Sequence, residues 1–391
     1  MKYKIEGIEL TPVHVPFKEN IRRIMQDGGK GVGMAIKVDE EWSGGDFVIC
    51  KLFCEDKIGL GESFVWLPET GIAPEQIIDI IKRALCKYII NQSPFNIERI
   101  LYKMDNNVAR NEVSKGLLDI ACYDLIGKIV ERPVYDLIGG RTVDEIPLTA
   151  LIPLTDPEIM GAAAKVFFKM KYRNFRYKLG GEGIENDIKI SEIIREVLGK
   201  EVNLRVDYNQ AYSPSKAVRA IRSIEQFNIE LAEQPVKANN FVGMAYVQKQ
   251  VNIPLMAHEG FFSLQDFITL VELNAVGVLG VNSERPGGMT KALKAINYAE
   301  QRGLGTVIHN QPLGIGSAMH IHLATAKFNS LGYAPELFGD IMMEDDLIKT
   351  PLEYNNGFVK VPNGSGYGVE LDENALKKYS TGPTTIIGKT S

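Results

Sequence analysis

Asn203-Leu-Arg-Val-Asp207, Ile229-Glu-Leu-Ala-Glu233 and Ile253-Pro-Leu-Met-Ala-His-Glu259 decide the architecture of this chain. Each is a short apolar run closed by a carboxylate, and Asp207, Glu233 and Glu259 stand 26 residues apart. One strand, one helix and two loops consume about 25 to 30 residues in a β/α barrel. The spacing therefore puts the three acids at the C-terminal ends of three successive parallel strands, where such barrels carry their active sites. Three converging carboxylates repel one another unless a cation neutralises them. Hard oxygen ligands suit Mg²⁺, with Mn²⁺ as the alternative.

The same beat runs outward. Lys178 closes Asn174-Phe-Arg-Tyr-Lys178, 29 residues before Asp207, and Asn282, His309 and Glu336 follow Glu259 at intervals of 23, 27 and 27. Lys178 and His309 fall on the second and seventh strands of the series, so a substrate at the acids would meet a proton carrier on each face. From Ile146 onward, eight strand-like runs alternate with helical stretches: 148–154, 174–179, 202–207, 229–233, 255–259, 278–282, 305–309 and 332–336. A doubly wound sheet also alternates, but it gathers its site at one switch point. Polar groups spread over seven strand ends favour a closed (β/α)7–8 barrel of the TIM type. Ser213 and Ser263 are expected helix N-caps.

The first 70 residues read differently. Short alternating runs at 5–10, 33–38 and 46–52 predict a three-strand meander, and residues 74–92 and 96–138 carry helical periodicity. The expected organisation is an α+β capping domain over residues 1–125, a barrel over 126–353, and a Gly- and Pro-rich segment, 354–391, that packs back on the capping domain. Two glycine-bearing loops, 16–33 and 59–71, are expected to act as lids over the barrel mouth. Lys18, Arg22 and Arg23 in the first favour an anionic or polyhydroxylated ligand.

A chain of 391 residues with 45% hydrophobic and 24% charged content is long enough for two packed domains. Net charge is −5 and no basic run occurs, which argues against nucleic acid as a partner. No apolar stretch reaches the roughly 18 residues of a membrane span, and Met1-Lys-Tyr-Lys-Ile-Glu lacks a signal core. Cys50, Cys54, Cys86 and Cys122 are scattered and suggest neither zinc nor a disulfide framework. A cytoplasmic setting is expected.

Several stretches together resemble the enolase superfamily, and within it the mandelate racemase-like group. They are Ile120-Ala-Cys-Tyr-Asp124-Leu-Ile-Gly-Lys128 with Pro133 to Gly140, Val206-Asp207-Tyr-Asn209-Gln210, Glu233-Gln-Pro235, Glu259, Arg285-Pro-Gly287-Gly288 and His309. The resemblance implies metal-assisted removal of the proton α to a carboxylate, with Asp207, Glu233 and Glu259 as ligands. It implies a base at Lys178, the second residue of what is usually a Lys-x-Lys pair. Here Arg176 holds the first position, on the same strand face as Lys178, where its charge favours the neutral amine and its fork offers a contact to a substrate carboxylate. A homo-oligomer is also implied.

Two departures matter. An Asp usually orients the family's histidine, and Asn282 stands in its place. An amide can hold the imidazole but lends it no counter-charge, so His309 is expected to behave as an ordinary histidine unless Glu284 substitutes. Glu336 fits the family's donor to the substrate carboxylate, a role that requires a protonated side chain. Asn209 is a further substrate contact or a helix cap. His258 should alternate to the far face of its strand, and His320 and His322 read as structural.

The first functional reading is dehydration of an acid sugar or related hydroxy acid, with His309 returning its proton to the departing hydroxyl. The alternative is a racemase or epimerase of a 2-substituted carboxylic acid, with Lys178 and His309 as bases on opposite faces. A third is a non-catalytic binding protein on the same fold. Muconate-lactonising chemistry is disfavoured, because that group carries a lysine where Asn282 stands.

Overall fold

The computed structural model describes residues 3–22, 42–310 and 312–389. Strands β1 (Gly7–Pro16), β2 (Gly44–Cys54) and β3 (Lys57–Val65) form an antiparallel meander. The expected strand at 33–38 and most of the first lid loop, 23–33 with Arg23, lie outside the described residues. The second expected loop begins too early, because 59–65 belongs to β3. Its glycines serve close packing rather than turning. A Cβ on Gly59 would stand 2.4 Å from the Ala121 carbonyl oxygen, and one on Gly61 2.7 Å from that of Leu117. They let the helix Glu112–Ile129 lie directly on the sheet. Only 66–71 remains as a connection, built on the short helix Leu67–Thr70.

The helix Glu112–Ile129 is buried on nearly every face, since the capping sheet covers one side and the barrel the other. Asp119 accepts from Thr290 N (2.8 Å) and Oγ1 (2.7 Å) on the barrel side. Asp124 accepts from Leu60 N on the sheet and Tyr367 N in the C-terminal segment, both at 2.7 Å. This helix runs unbroken through the boundary expected at 125/126, because it is the surface on which both halves pack.

Strand β4 (Glu145–Pro147) pairs with a hairpin of β13 (Tyr354–Asn355) and β14 (Phe358–Lys360). The barrel then follows: β5 (Thr149–Ile152), β6 (Asn174–Lys178), β7 (Asn203–Asp207), β8 (Ile229–Glu233), β9 (Leu255–Ala257), β10 (Val278–Val281), β11 (Gly305–Asn310) and β12 (Glu336–Leu337). They form one parallel sheet in sequence order, and Thr149 N donates to the Pro335 carbonyl (3.0 Å) across the seam. Leu231, Met256, Val278 and Val307 make an apolar cluster of their own, apart from the larger core between strands and helices. Ser263 caps its helix in a capping box with Asp266, whereas Ser213 precedes Pro214 without a side-chain cap. The chain ends in β15 (Thr385–Gly388), which pairs with β1 and widens the capping sheet to four strands.

Candidate active site

Alternation along β6 and β7 sends Phe175, Tyr177, Leu204 and Val206 into the helical layer and Arg176, Lys178, Arg205 and Asp207 into the barrel. The two strands are paired with Arg176 opposite Arg205 and Lys178 opposite Asp207. All four charged side chains are buried, so each must find an opposite charge. Arg176 donates through Nε to Glu233 Oε2 at 2.7 Å and through Nη2 to Asp207 Oδ2, and its Nε lies 3.4 Å from Glu336 Oε2. Lys178 Nζ donates to Asp207 Oδ2 at 2.6 Å and to Asn209 Oδ1. The Asn209 N–H in turn holds Asp207 Oδ1 at 2.8 Å.

Asp207 collects most of the available positive charge. Burial works against its anion, but Arg176, Lys178 and the Asn209 N–H outweigh it and hold the carboxyl below its usual value. Glu233 goes the other way. Burial pushes it well up, Arg176 only partly offsets this, and Asp207 and Glu336 push further. Glu259 is raised to about 7 by burial and then by Asp207 and Glu69. Arg176 is held above its ordinary value, since Asp207, Glu233 and Glu336 overcome its burial.

Two of the three predicted ligands, Glu233 and Glu259, present a free oxygen to a cation, whereas both oxygens of Asp207 are engaged. Glu233 Oε1 and Glu259 Oε2 are buried without a hydrogen-bond partner among the described residues, a costly condition unless something positive meets them. The tightest ligand-like group is a different one, however. Atoms of Glu233, His258 and His309 lie within 4.8 Å of one another. Imidazoles would draw a borderline transition ion. Arg285 Nη2 already sits 2.7 Å from His258 Nε2, and Arg176, Lys178 and Asn209 already engage both oxygens of Asp207; the free oxygens of Glu233 and Glu259 are what favours a hard ion here.

His258 overturns its expected orientation. Strand β9 stops at Ala257, so the alternation does not reach residue 258. The ring enters the site with Nδ1 3.3 Å from Glu233 Oε1 and 3.5 Å from Glu259 Oε2. Its centroid lies 4.0 Å from that of His309. The available signal is its adjacency to Glu259 at the end of a very short strand. Sequence reasoning also gives Arg285 and Glu69 no role, although Arg285 opens the Arg-Pro-Gly-Gly stretch.

His309 is buried, and neither ring nitrogen has a hydrogen-bond partner among the described residues. Asn282 does not hold it. Its Oδ1 accepts from Glu284 N (3.0 Å) and Arg285 N (2.8 Å), closing the turn after β10, and its Nδ2 faces His258. Glu284 does not substitute, because its carboxylate is spent on Phe64 N, Ser283 and Asn310. Nor is His309 an ordinary histidine. Burial, then Arg176 and Arg285, hold its imidazole well below the usual value and keep it neutral.

Glu336 is not arranged as a donor. Register pairs His309 with Glu336 across β11 and β12. Glu336 Oε1 accepts from Arg205 Nη1 at 3.2 Å, and Oε2 lies near Arg176 and 3.7 Å from His309 Nε2. Flanked by two guanidinium groups, it is their counter-charge, and it also supplies the acid beside His309 that Asn282 does not. His320 and His322 are structural, bonded to Ser283 N and to Tyr135 N respectively.

Comparison with known proteins finds relatives along most of the chain. A profile described as mandelate racemase / muconate lactonizing enzyme, N-terminal domain, fits residues 30–139, and one described as enolase C-terminal domain-like fits 159–375. The N-succinyl-L-Arg/Lys racemase of Bacillus cereus is 32% identical over 331 residues, covering 83% of this chain and 88% of that protein. The L-Ala-D/L-Glu epimerase of Clostridium acetobutylicum is 33% identical over 328 residues, covering 83% and 90%. A crystal structure of the Bacillus cereus racemase superposes with a TM-score of 0.88 at 28% identity, covering 99% of this chain and 100% of that one.

Proposed function

Because the chain belongs to the mandelate racemase and muconate lactonizing enzyme family of the enolase superfamily, we propose that it is a racemase or epimerase of a 2-substituted carboxylic acid, with N-acylated amino acids and dipeptides as the first substrates to try. The observation that carries this reading is the pair of proton carriers flanking the buried acids, Lys178 on β6 and His309 on β11. Dehydration, the first reading of the sequence, has less support, since the relatives above are named for racemisation and epimerisation.

Lys178 would take the α-proton on one face, where Asp207 and Asn209 aim its amine. His309 would give or take a proton on the other. As a neutral imidazole it can accept one, and Glu336 Oε2 at 3.7 Å and Glu233 Oε1 at 4.0 Å would offset the charge it gains. Asp207, Glu233 and Glu259 would hold a divalent cation, which supplies Lewis-acid stabilisation of the charge that develops on the substrate carboxylate. Arg176 ties Asp207 to Glu233, favouring the anion of Asp207 and offsetting part of the burial that raises Glu233.

The test is proton NMR in D₂O with Mg²⁺ or Mn²⁺, across N-succinyl amino acids, dipeptides and acid sugars. Deuterium at the α-carbon with both epimers formed and no loss of water is the expected result. A 2-keto-3-deoxy acid would instead establish dehydration. Silence across the library would favour the binding protein.

A further inference from the structure

Strand β3 lays its alternate positions on two different partners. Gly59 and Gly61 meet the helix Glu112–Ile129, while Leu60 and Phe64 join the core that runs into the barrel. Glu62 stands between them on that second face, buried. A buried carboxylate needs donors, and those of Glu62 come from the barrel. Leu313 N donates to its Oε1 at 2.7 Å and Gly316 N to its Oε2 at 2.9 Å. Both N–H groups open the helix Gly314–Leu331, whose own N-cap residue, Leu313, has no side-chain cap to offer. Gly316 leaves room for the carboxylate, since a Cβ there would stand 2.6 Å from Glu62 Oε1. Glu62 is therefore a helix cap supplied by the capping domain.

The capped helix follows β11, the strand that carries His309. That imidazole has no hydrogen bond at either nitrogen among the described residues. Its direction is therefore set by its backbone and by the rings packed on it, His258 and Phe338. The backbone beyond it is held from several sides. Phe338 N donates to Asn310 O (3.1 Å), Asn310 Nδ2 donates to Ser283 and Glu284, and Gly314 N donates to Asp346 O (2.8 Å). Glu62 adds the hold from the capping sheet. We propose that Glu62 is a positioning residue for His309: by capping the helix after β11, it fixes the turn that sets where the imidazole stands. This rests on His309 being the proton carrier described above. Lys178 stands on β6, and its partners Asp207 and Asn209 make no contact with Glu62. A change at Glu62 should therefore separate the two carriers.

The experiment follows α-proton exchange in D₂O from each enantiomer separately, for whichever N-succinyl amino acid or dipeptide the screen above identifies, with thermal melting as a check on folding. Glu62→Gln keeps one acceptor oxygen but sets an N–H₂ against the other backbone N–H, so it loses one of the two bonds. Exchange of the His309-dependent enantiomer should fall about 10- to 100-fold, the scale of a small misplacement of a reacting group, and fall further in Glu62→Ala. Exchange of the Lys178-dependent enantiomer should change much less. Equal losses for both enantiomers, or no loss in either, would overturn the proposal and leave Glu62 as a structural cap. The imidazole nitrogen resonances give a second reading that needs no substrate. The His309 signal, assigned by its absence in His309→Asn, should shift in Glu62→Gln, while that of His14, paired with Asp46 on the capping sheet, should not. A shift of His320, on the capped helix, with His309 unmoved would overturn the proposal. If Glu62→Ala does not fold, Glu62→Gln decides. A parent that exchanges no substrate would sink the functional reading, and the His309 resonance then decides this inference by itself.

Discussion

At the β6–β7 flank of the barrel mouth, Arg176 and Lys178 share Asp207 and reach Glu233 and Asn209, and their charge is matched on the spot. At the β10–β11 flank, His309 has no hydrogen-bond partner among the described residues and is held neutral, while Glu284 is raised to about 7 by burial. One side of the site is a tight ionic network. The other buries His309 and Glu284 where both resist ionisation. The contrast sets a neutral imidazole, able to accept a proton, opposite an amine aimed by Asp207 and Asn209.

The largest effect should come from removing one carrier at a time. Lys178→Ala is expected to lower α-proton exchange of one enantiomer by about 10² to 10⁴, the span general acid–base groups usually contribute. Exchange of the other enantiomer, served by His309, should persist. His309→Asn should give the mirror result, and racemisation should fail in both. Deuterium incorporation followed separately from each enantiomer reads this directly. Equal losses for both enantiomers in either variant would mean that one flank does all the proton transfer.

The ionic flank is legible in the sequence, and on the β10–β11 flank little beyond His309 is. Asp207, Glu233 and Lys178 end strands of five residues, and the one register slip, between β7 and β8 at Leu204–Arg205, falls before the strand ends, which stay in step. Spacing and side-chain parity therefore locate them. On the other side, β9 has three residues, β10 four and β12 two. His258 and Asn282 lie just past those ends, where loop geometry and not pleat sets direction. The place of Asn282 in the series makes it the expected partner of His309, yet its amide is consumed by the turn it closes. Gly59 and Gly61 mislead for a related reason: a glycine needed for close approach to a helix looks the same in sequence as one needed for a turn.

A smaller effect tests whether Glu336 serves the β10–β11 flank. Two unit charges about 4 Å apart interact by roughly 1 to 4 kcal/mol across the range from water to a protein surface. Glu336→Gln keeps the shape and removes the charge beside His309. Exchange of the enantiomer that depends on His309 should fall about 10- to 100-fold, and that of the Lys178-dependent enantiomer should fall less. A uniform loss would assign Glu336 to holding Arg176 and Arg205 alone. Melting temperature separates that outcome from simple destabilisation, since both guanidinium groups lose a partner.

The smallest expected effect concerns stability and pH. Burial lifts Glu284 from an ordinary 4.5 to about 7, with Ser283, Arg285 and the Phe64 N–H pulling back only partly. Between those values the folded protein holds a proton that the unfolded chain has released. The contribution of Glu284 is therefore fully present below pH 4.5 and is lost as pH rises through about 7. The parent should lose stability between pH 5 and 8, and Glu284→Gln, neutral throughout, should lose less. Its amide oxygen can still accept from Phe64 N, and Asn310 can turn its own amide to face the new N–H₂. A difference of roughly 1 to 3 kcal/mol is expected, since each tenfold change in proton affinity is worth about 1.4 kcal/mol. Urea unfolding at the two pH values measures it. Parallel pH slopes for parent and variant would show that Glu284 is ionised throughout, and that the β10–β11 flank is charged after all.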